Sequence, residues 1–155
     1  MRKAPPRDRS APRACAERIL AGRDHGRGEL RRKLVARGFD PAEVDAVLDQ
    51  LAGEGYLDDA RYAREFARQA LEKGHGTTYI RAKLAARGVR PAGPPCDTAE
   101  EAASLRALME RRRLRPGALT VAAERAKILR FLRGRGYSGA AISMVLGRMA
   151  DSDES

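Results

Sequence analysis

Several residue types and motifs are scarce or missing in this 155-residue chain. It has no tryptophan, and only 5% of its residues are aromatic. The two cysteines, Cys15 and Cys96, are too few for a disulfide framework, and with His25 and His75 they lack the paired spacing of a zinc site. No apolar run approaches the roughly 20 residues of a membrane span, and no apolar segment follows the basic first residues as in a secretory signal. We therefore expect a cytoplasmic protein without a metal or cofactor, not bound to a membrane.

Motifs that mark catalytic sites are also missing. The chain has neither a P-loop nor a dinucleotide-binding glycine motif. The pair Asp58 and Asp59 has no third ligand at metal-binding spacing, and we expect both aspartates to cap the helix that follows. Neither histidine has a Ser, Cys or Asp arrangement that would suggest a triad. We therefore expect a binding protein without catalytic residues, and not an enzyme.

Positive charge is plentiful and unevenly placed. The formal net charge is +10 and the isoelectric point is about 10.4, which favours a polyanionic partner. Residues 1–13 carry +4, residues 14–56 carry −1, residues 57–98 carry +3 and residues 99–155 carry +4. The basic character therefore belongs mainly to the first residues and to the second and third portions of the chain.

One stretch, residues 55–74, reads as a helix with two different faces. Its apolar residues recur at helical spacing, whereas Arg61, Arg64 and Arg68 fall on another side. Gly74 is placed to end the helix. The apolar stripe consists of Tyr62, Ala63, Phe66, Ala67, Ala70 and Leu71.

An internal repeat is the main architectural signal. The segments ELRRKLVARGF, YIRAKLAARGV and KILRFLRGRGY, at residues 29–39, 79–89 and 127–137, align in their apolar positions and in a shared glycine. A helical texture with a period near 50 residues indicates tandem three-helix units. We expect an all-α protein of three such units stacked into an elongated, curved solenoid. An arginine precedes each shared glycine, which should adopt a left-handed helix cap before an apolar residue that returns to the core.

The same patterns predict the boundaries of the units. Residues 1–13 should be a basic disordered tail, 14–56 the first repeat, 57–98 the second, 99–150 the third and 151–155 an acidic tail. In the first repeat we expect helices over 14–21, 29–37 and 40–52. Prolines and glycine over 91–95 should disrupt the third helix of the second repeat, so that the next helix begins near Thr98. The third repeat should continue from Thr120 through Arg133 and end with a helix over 138–149.

Cationic side chains recur on the second helix of each repeat and are the candidate contacts with a partner or nucleic acid. They would form a basic ladder along the stack, although a merely solvated helix face stays open as an alternative. The aromatic residues, including Tyr56, Phe131 and Tyr137, are read as core and not as base-stacking platforms. The ladder consists of Arg31, Lys33, Arg81 and Lys83, with Arg130 as a third rung. The candidate binding residues outside the ladder are Arg61, Arg64, Arg68, Arg111, Arg112 and Arg113, and for the last three a solvated helix end is the alternative.

The stretch GYLDDARYAREFARQALEKG, followed by YIRAKLAARGV, resembles the central motif of the RecX family, which regulates the RecA recombinase. The flanking repeats resemble the family's first and last repeats, so that the likeness covers about residues 14–149. The resemblance implies a protein of three tandem three-helix repeats that lies in the groove of the RecA–DNA filament. We expect it to be a monomer. Such a protein would inhibit filament growth, ATP hydrolysis and strand exchange, with roles in DNA repair and the SOS response. The chain departs from the family pattern at RPAGPPCDT, where a regular third helix is usual.

Two other functions stay open at this point. An autonomous DNA- or RNA-binding protein would bind naked nucleic acid tightly and with strong salt dependence. A scaffold for acidic proteins would be indifferent to DNA.

Overall fold

Every regular element in the described part of the chain is an α-helix. The computed structural model describes residues 11–115 and 121–152, with side chains described as far as residue 147. Most of the expected basic tail, the start of the helix expected at Thr120 and the last residues of the acidic tail lie outside these ranges. The helices are α1 Pro12–Gly22, α2 Arg27–Ala36, α3 Pro41–Gly53, α4 Asp59–Glu72, α5 Thr77–Ala86, α6 Thr98–Arg111, α7 Ala122–Gly134 and α8 Gly139–Ser152.

The order of these helices confirms the all-α tandem-repeat fold. Helices α1–α3 form one triplet and α6–α8 another, whereas the middle repeat consists of α4 and α5 alone. Residues 87–97 form turns and bends without a helix. Pro91, Pro94 and Pro95 lack the backbone N–H that a helix requires, and Gly93 adds a further break. The elongated shape of the whole molecule stays a prediction.

The chain divides into two compact units. Within the described ranges, unit 1 contains residues 11–63 and 84–92, and unit 2 contains residues 64–83 and 93–152. Two clusters of buried apolar side chains are centred on the two complete triplets of helices, α1–α3 and α6–α8. The first contains Cys15, Ala16, Leu30, Leu34, Phe39, Val44, Leu48, Leu51 and Leu57. The second contains Ala102, Leu105, Leu108, Met109, Ile128, Leu132, Tyr137, Ile142, Val145 and Leu146.

Helix α1 begins two residues earlier than its pattern predicts. Pro12 occupies the first helical position, where a missing N–H costs nothing. The Arg13 guanidinium bonds Glu17 at 2.9 Å and Glu54, the residue after α3, at 2.6 Å, which stabilises this first turn. These two contacts raise the pKa of Arg13. The expected disordered tail is therefore wrong for residues 12 and 13.

Other helix starts carry side-chain caps. The Asp40 carboxylate accepts a hydrogen bond from the Ala42 N–H at 3.2 Å, as its position before Pro41 predicts. At the start of α6, Asp97 and Glu100 form a reciprocal capping box with two bonds of 2.8 Å.

The glycine turns after α2, α5 and α7 confirm the predicted caps. Gly38, Gly88 and Gly136 have φ angles of +96°, +71° and +87°. In each turn the N–H of the next residue bonds a carbonyl five residues back: Phe39 to Leu34, Val89 to Leu84 and Tyr137 to Leu132. The residues that follow the glycines are at most 4% exposed, so they return to the core as expected.

In unit 1, the start of α2 lies against the glycine turn that ends α5. A Cβ atom on Gly28 would stand 2.7 Å from the Gly88 oxygen, so the two backbones touch where only glycine fits. Asp59, the first residue of α4, accepts a hydrogen bond from the Arg27 N–H at 3.0 Å. Arg32 donates to the Ala86 carbonyl at 3.1 Å. The second helices of the first two repeats therefore meet end to end.

In unit 2, the start of α5 meets the glycine turn that ends α7 in the same manner. The Gly76 and Thr78 N–H groups donate to the carbonyls of Arg135 and Gly136, both at 2.9 Å. Glu101 of α6 takes the place of Asp59 and accepts from the Thr77 N–H at 2.8 Å. Each unit thus contains the same junction between the second helices of successive repeats.

Candidate nucleic-acid and partner interface

The cations on α2 are engaged within unit 1. The Arg31 guanidinium bonds Asp45 of α3 at 2.7 and 3.3 Å and holds the pKa of that carboxyl below its usual range. Lys33 Nζ lies 2.8 Å from His25 Nε2 and 3.5 Å from the Glu29 carboxylate. These two predicted contact residues are partly exposed, but a phosphate would have to compete with their present partners.

Arg61 stands exposed near the start of α4. Its backbone N–H donates to the Asp58 carboxylate at 3.0 Å, which confirms Asp58 as the cap of this helix. The expectation for Asp59 is wrong, because that carboxylate caps α2 instead. The sequence pattern does not indicate this role, because the N–H that donates to Asp59 belongs to Arg27. That residue is distant in the chain, and only folding brings the two groups together.

The two later arginines of α4 differ in their surroundings. Arg68 bonds Glu65 at 2.7 and 3.2 Å and Glu72 at 2.6 Å, all on the same exposed face. The hydrogen bond from Arg68, with one from Gln69, lowers the pKa of Glu65 to about 2. Arg64 is exposed and has no ion pair within the described residues. Arg64 is therefore the stronger candidate for an anionic partner.

Helix α5 presents two further cations in unit 2. Arg81 is exposed and, among the residues that the structure describes, it forms no ion pair. Lys83 is exposed, and its Nζ lies 5.5 Å from the centre of the Tyr79 ring, within the range of a cation–π contact. The position equivalent to the paired Arg31 is thus unpaired in the second repeat.

The cluster Arg111 to Arg113 forms the end of α6 and the turn after it. All three side chains are exposed, and Arg113 has a φ of +53°. The Arg112 guanidinium lies 5.3 Å from the centre of the Phe131 ring. With residues of α7, Arg112 and Arg113 line a groove of about 680 Å³.

The two units carry very different charges. The described residues of unit 1 include eleven Lys and Arg against ten Asp and Glu, a net charge of +1. Unit 2 includes sixteen against eight, a net charge of +8. Of the predicted contact residues, Arg31, Lys33 and Arg61 belong to unit 1, and Arg64, Arg68, Arg81, Lys83, Arg111, Arg112 and Arg113 belong to unit 2.

The aromatic side chains follow the core prediction only in part. Tyr137 is buried, and its hydroxyl lies 2.9 Å from Ser104 Oγ. Burial raises the pKa of Tyr137, against the opposing effect of this hydrogen bond. Tyr56 is 59% exposed, so its assignment to the core is wrong. It follows Gly55, whose φ of +82° turns the chain between α3 and α4.

Three side chains beside the Arg111 to Arg113 cluster were absent from the predicted site. Arg115, Lys127 and Phe131 line the same groove as Arg112 and Arg113. The spacing of Lys127 and Phe131, four residues apart on α7, places them on one face of that helix. This spacing is visible in the sequence, but their proximity to the end of α6 is decided by the packing of α6 and α7.

Two other kinds of site are missing from residues 11–115 and 121–152. Within those ranges, no three or more His, Cys, Asp or Glu residues form a group that could hold a metal ion. No helix there is both long and apolar enough to cross a membrane.

Comparison with known proteins gives consistent matches over most of the chain. Family models described as the first, second and third three-helix domains of RecX match residues 13–51, 58–92 and 99–146. A regulatory protein RecX of Acidithiobacillus ferrooxidans is 38% identical over 147 residues, covering 94% of this chain and 95% of that protein. One from Pseudomonas fluorescens is 41% identical over 145 residues, covering 91% and 94%. The crystal structure of RecX from Lactobacillus salivarius has a TM-score of 0.76 at 17% identity, covering 90% and 94%, and so shares the fold.

Proposed function

Because the chain belongs to the RecX family of regulatory proteins, we propose that it binds RecA and the groove of the RecA–DNA filament as a negative regulator of homologous recombination. In this role it hinders filament growth and inhibits ATP hydrolysis and strand exchange. It contributes contacts and no chemistry of its own. The working form is a monomer.

The repeated junction is the observation that best supports this proposal. The same end-to-end meeting of second helices occurs once in each unit, at Gly28 with Gly88 and at Gly76 with Gly136. A protein built from repeated units can offer similar contacts at regular intervals, which suits a partner that is itself a repeating polymer. The helices joined in this way are those that carry the recurring cations.

The distribution of unpaired cations supports a nucleoprotein partner. Arg64 and Arg81 of unit 2 are exposed and unpaired within the described ranges, in a unit with a net charge of +8. Such side chains can contact phosphates or acidic protein patches without first breaking an internal ion pair.

The direct test is the ATPase activity of RecA on single-stranded DNA, measured with increasing amounts of the purified protein. We expect the rate of ATP hydrolysis to fall. The double variant Arg64→Glu with Arg81→Glu should require at least about tenfold more protein for half inhibition, since a single lost charge contact typically costs a few-fold. Unchanged ATPase activity and strand exchange with the wild-type protein would refute the proposal.

A matched control variant separates local contacts from total charge. Arg90→Glu with Arg125→Glu makes the same change in net charge at two other exposed positions. This control should inhibit within about twofold of the wild type, since long-range effects of exposed charges are screened by salt. Circular dichroism should show that both double variants remain helical.

Autonomous nucleic-acid binding is the second candidate, and the net charge of +8 on unit 2 favours it. It predicts equal affinity for naked DNA and for the RecA filament. The proposed regulator should instead bind the filament at least about tenfold more tightly, because two sets of contacts then act together.

A further inference from the structure

A groove in unit 2 lies between the residues that follow α6 and one side of α7. Its volume of about 680 Å³ falls within the range of ligand sites, roughly 300–1,000 Å³. It is lined by Arg112, Arg113, Leu114, Arg115, Glu124, Lys127, Ile128 and Phe131.

The charge of this groove is strongly positive. Among the described residues that line it, four are cationic, Arg112, Arg113, Arg115 and Lys127, and one is acidic, Glu124. None of these four cations forms an ion pair in the described part of the chain, in contrast to Arg31 and Lys33 of unit 1. A ligand with several negative charges would therefore meet four available cationic groups.

The floor of the groove is apolar and contains an aromatic ring. Leu114 and Phe131 are half-buried at the border of the second apolar cluster, and Ile128 is 5% exposed. Phe131, which the sequence pattern assigns to the core and not to base stacking, thus keeps part of its side chain accessible. The Arg112 guanidinium lies over the Phe131 ring, 5.3 Å from its centre, and is itself a planar cationic group. Inorganic anions would make no use of such a floor, whereas a nucleobase stacks on aromatic rings and on guanidinium planes.

From this combination we propose that the groove is a subsite for single-stranded nucleic acid. The four cations contact the phosphates, and a base lies against Phe131 and the Arg112 guanidinium. A duplex fits less well, because its bases are paired and stacked within the helix and cannot enter the apolar floor. This inference rests on the proposed function and deepens it, since it assigns one part of unit 2 to the DNA strand within the filament.

The phosphate contacts can be tested by fluorescence anisotropy with a labelled oligothymidylate, without RecA, over a series of salt concentrations. The variant Arg115→Gln with Lys127→Gln should bind at least about fivefold more weakly. Its slope of log affinity against log salt should be smaller by about 1.4, because each phosphate contact with a single strand contributes about 0.7.

A matched control removes two charges of the same unit outside the groove. Arg125→Gln with Arg133→Gln changes two exposed positions of α7 that do not line it. This control should keep the affinity within about twofold and should leave the salt slope unchanged.

The base contact has a separate signature. Phe131→Leu retains an apolar side chain and removes the ring, so the affinity for oligothymidylate should fall about fivefold or more while the salt slope stays the same. Competing duplex DNA should displace the labelled strand at least about tenfold less effectively than unlabelled single strand. If Phe131→Leu does not fold, the cation variants still decide the phosphate contacts and the duplex competition still decides the base contact.

This inference would be overturned if the groove variants kept the affinity and the salt slope of the wild type. It would also be overturned if the protein did not bind single-stranded DNA at low salt. Equal displacement by polyglutamate and by single-stranded DNA would also overturn it, because the groove would then select charge alone. Inhibition of RecA by the same variants is measured independently. If that inhibition persists while DNA binding is unaffected by the substitutions, the groove assignment fails and the regulatory proposal stands.

Discussion

At the scale of single residues, Glu101 connects three helices of unit 2. It is 2% exposed, and one carboxylate oxygen accepts hydrogen bonds from the N–H groups of Thr77 and Ser138, both at 2.8 Å. The other oxygen accepts from the Ser138 hydroxyl at 2.6 Å. A carboxylate from α6 thus satisfies donors at the starts of α5 and α8, where helix geometry leaves N–H groups unpaired.

Replacement of this carboxylate should destabilise the protein. Glu101→Ala leaves the Thr77 and Ser138 N–H groups without this acceptor at a partly buried site, and we expect a loss of about 2–4 kcal/mol in the free energy of unfolding. Urea unfolding followed by circular dichroism measures this change. Glu101→Gln should lose less, because its amide oxygen can still accept from both N–H groups. The control Glu110→Ala, at an exposed position of α6, should remain within about 0.5 kcal/mol of the wild type.

At the scale of helices, end-to-end contacts between the second helices of successive repeats fix the positions of these helices. In unit 2 this contact includes two backbone hydrogen bonds of 2.9 Å and the side chain of Arg135. That guanidinium donates to the carbonyls of Gly74 and Lys73 at 2.9 and 2.7 Å, beyond the end of α4. Arg135 therefore stabilises a neighbouring repeat, a role that its position before a glycine did not predict.

The backbone contact leaves no room for a side chain at Gly76. A Cβ atom there would stand 2.5 Å from the Gly136 oxygen and 2.6 Å from the Tyr137 nitrogen, which are backbone atoms. Gly76→Ala should therefore displace α5 from the α7 turn and lower the free energy of unfolding by about 2 kcal/mol or more.

Thermal unfolding compares this variant with Gly134→Ala, at the last residue of α7, where a Cβ would meet nothing within 4 Å. The free energy of unfolding of Gly134→Ala should equal that of the wild type or exceed it by up to about 1 kcal/mol, because alanine is more favourable than glycine within a helix. Equal melting temperatures for the two variants would refute the role of the junction.

At the scale of the whole molecule, the excess positive charge is concentrated in one of two units. Unit 1 has a net charge of +1, and its cations form pairs such as Arg27 with Asp49 and Arg31 with Asp45, at 2.6 and 2.7 Å. Unit 2 has a net charge of +8 over its described residues. We expect unit 2 to supply most of the salt-dependent contact with a nucleoprotein partner.

The effect of internal ion pairing on partner binding can be compared at equivalent positions of two repeats. Arg31 and Arg81 occupy the same place in their helices, but Arg31 is held by Asp45 while Arg81 is exposed without such a partner in the described ranges. Arg81→Gln should raise the concentration for half inhibition of RecA about threefold or more and should lower its salt dependence. Arg31→Gln should change it less than twofold. Equal losses would show that internal pairing does not decide which cations bind.

Most of the fold could be predicted from local patterns. The glycine turns at Gly38, Gly88 and Gly136, the cap at Asp40 and the break over Pro91 to Pro95 depend on residues close together in the chain. Apolar periodicity and an internal repeat near 50 residues then indicated tandem helical units. The predicted contact residues share a positive charge, and charge alone does not show which arginines are paired.

The amino-acid sequence by itself determined the helices, their ends, their repetition and the total charge, because each of these depends on residue type and short-range spacing. The tertiary structure decided which cations remain available, that Asp59 and Glu101 cap other helices, and that Phe131 lies beside Arg112 in one groove. These are contacts between groups up to 37 residues apart, and they exist only once packing has brought their helices together.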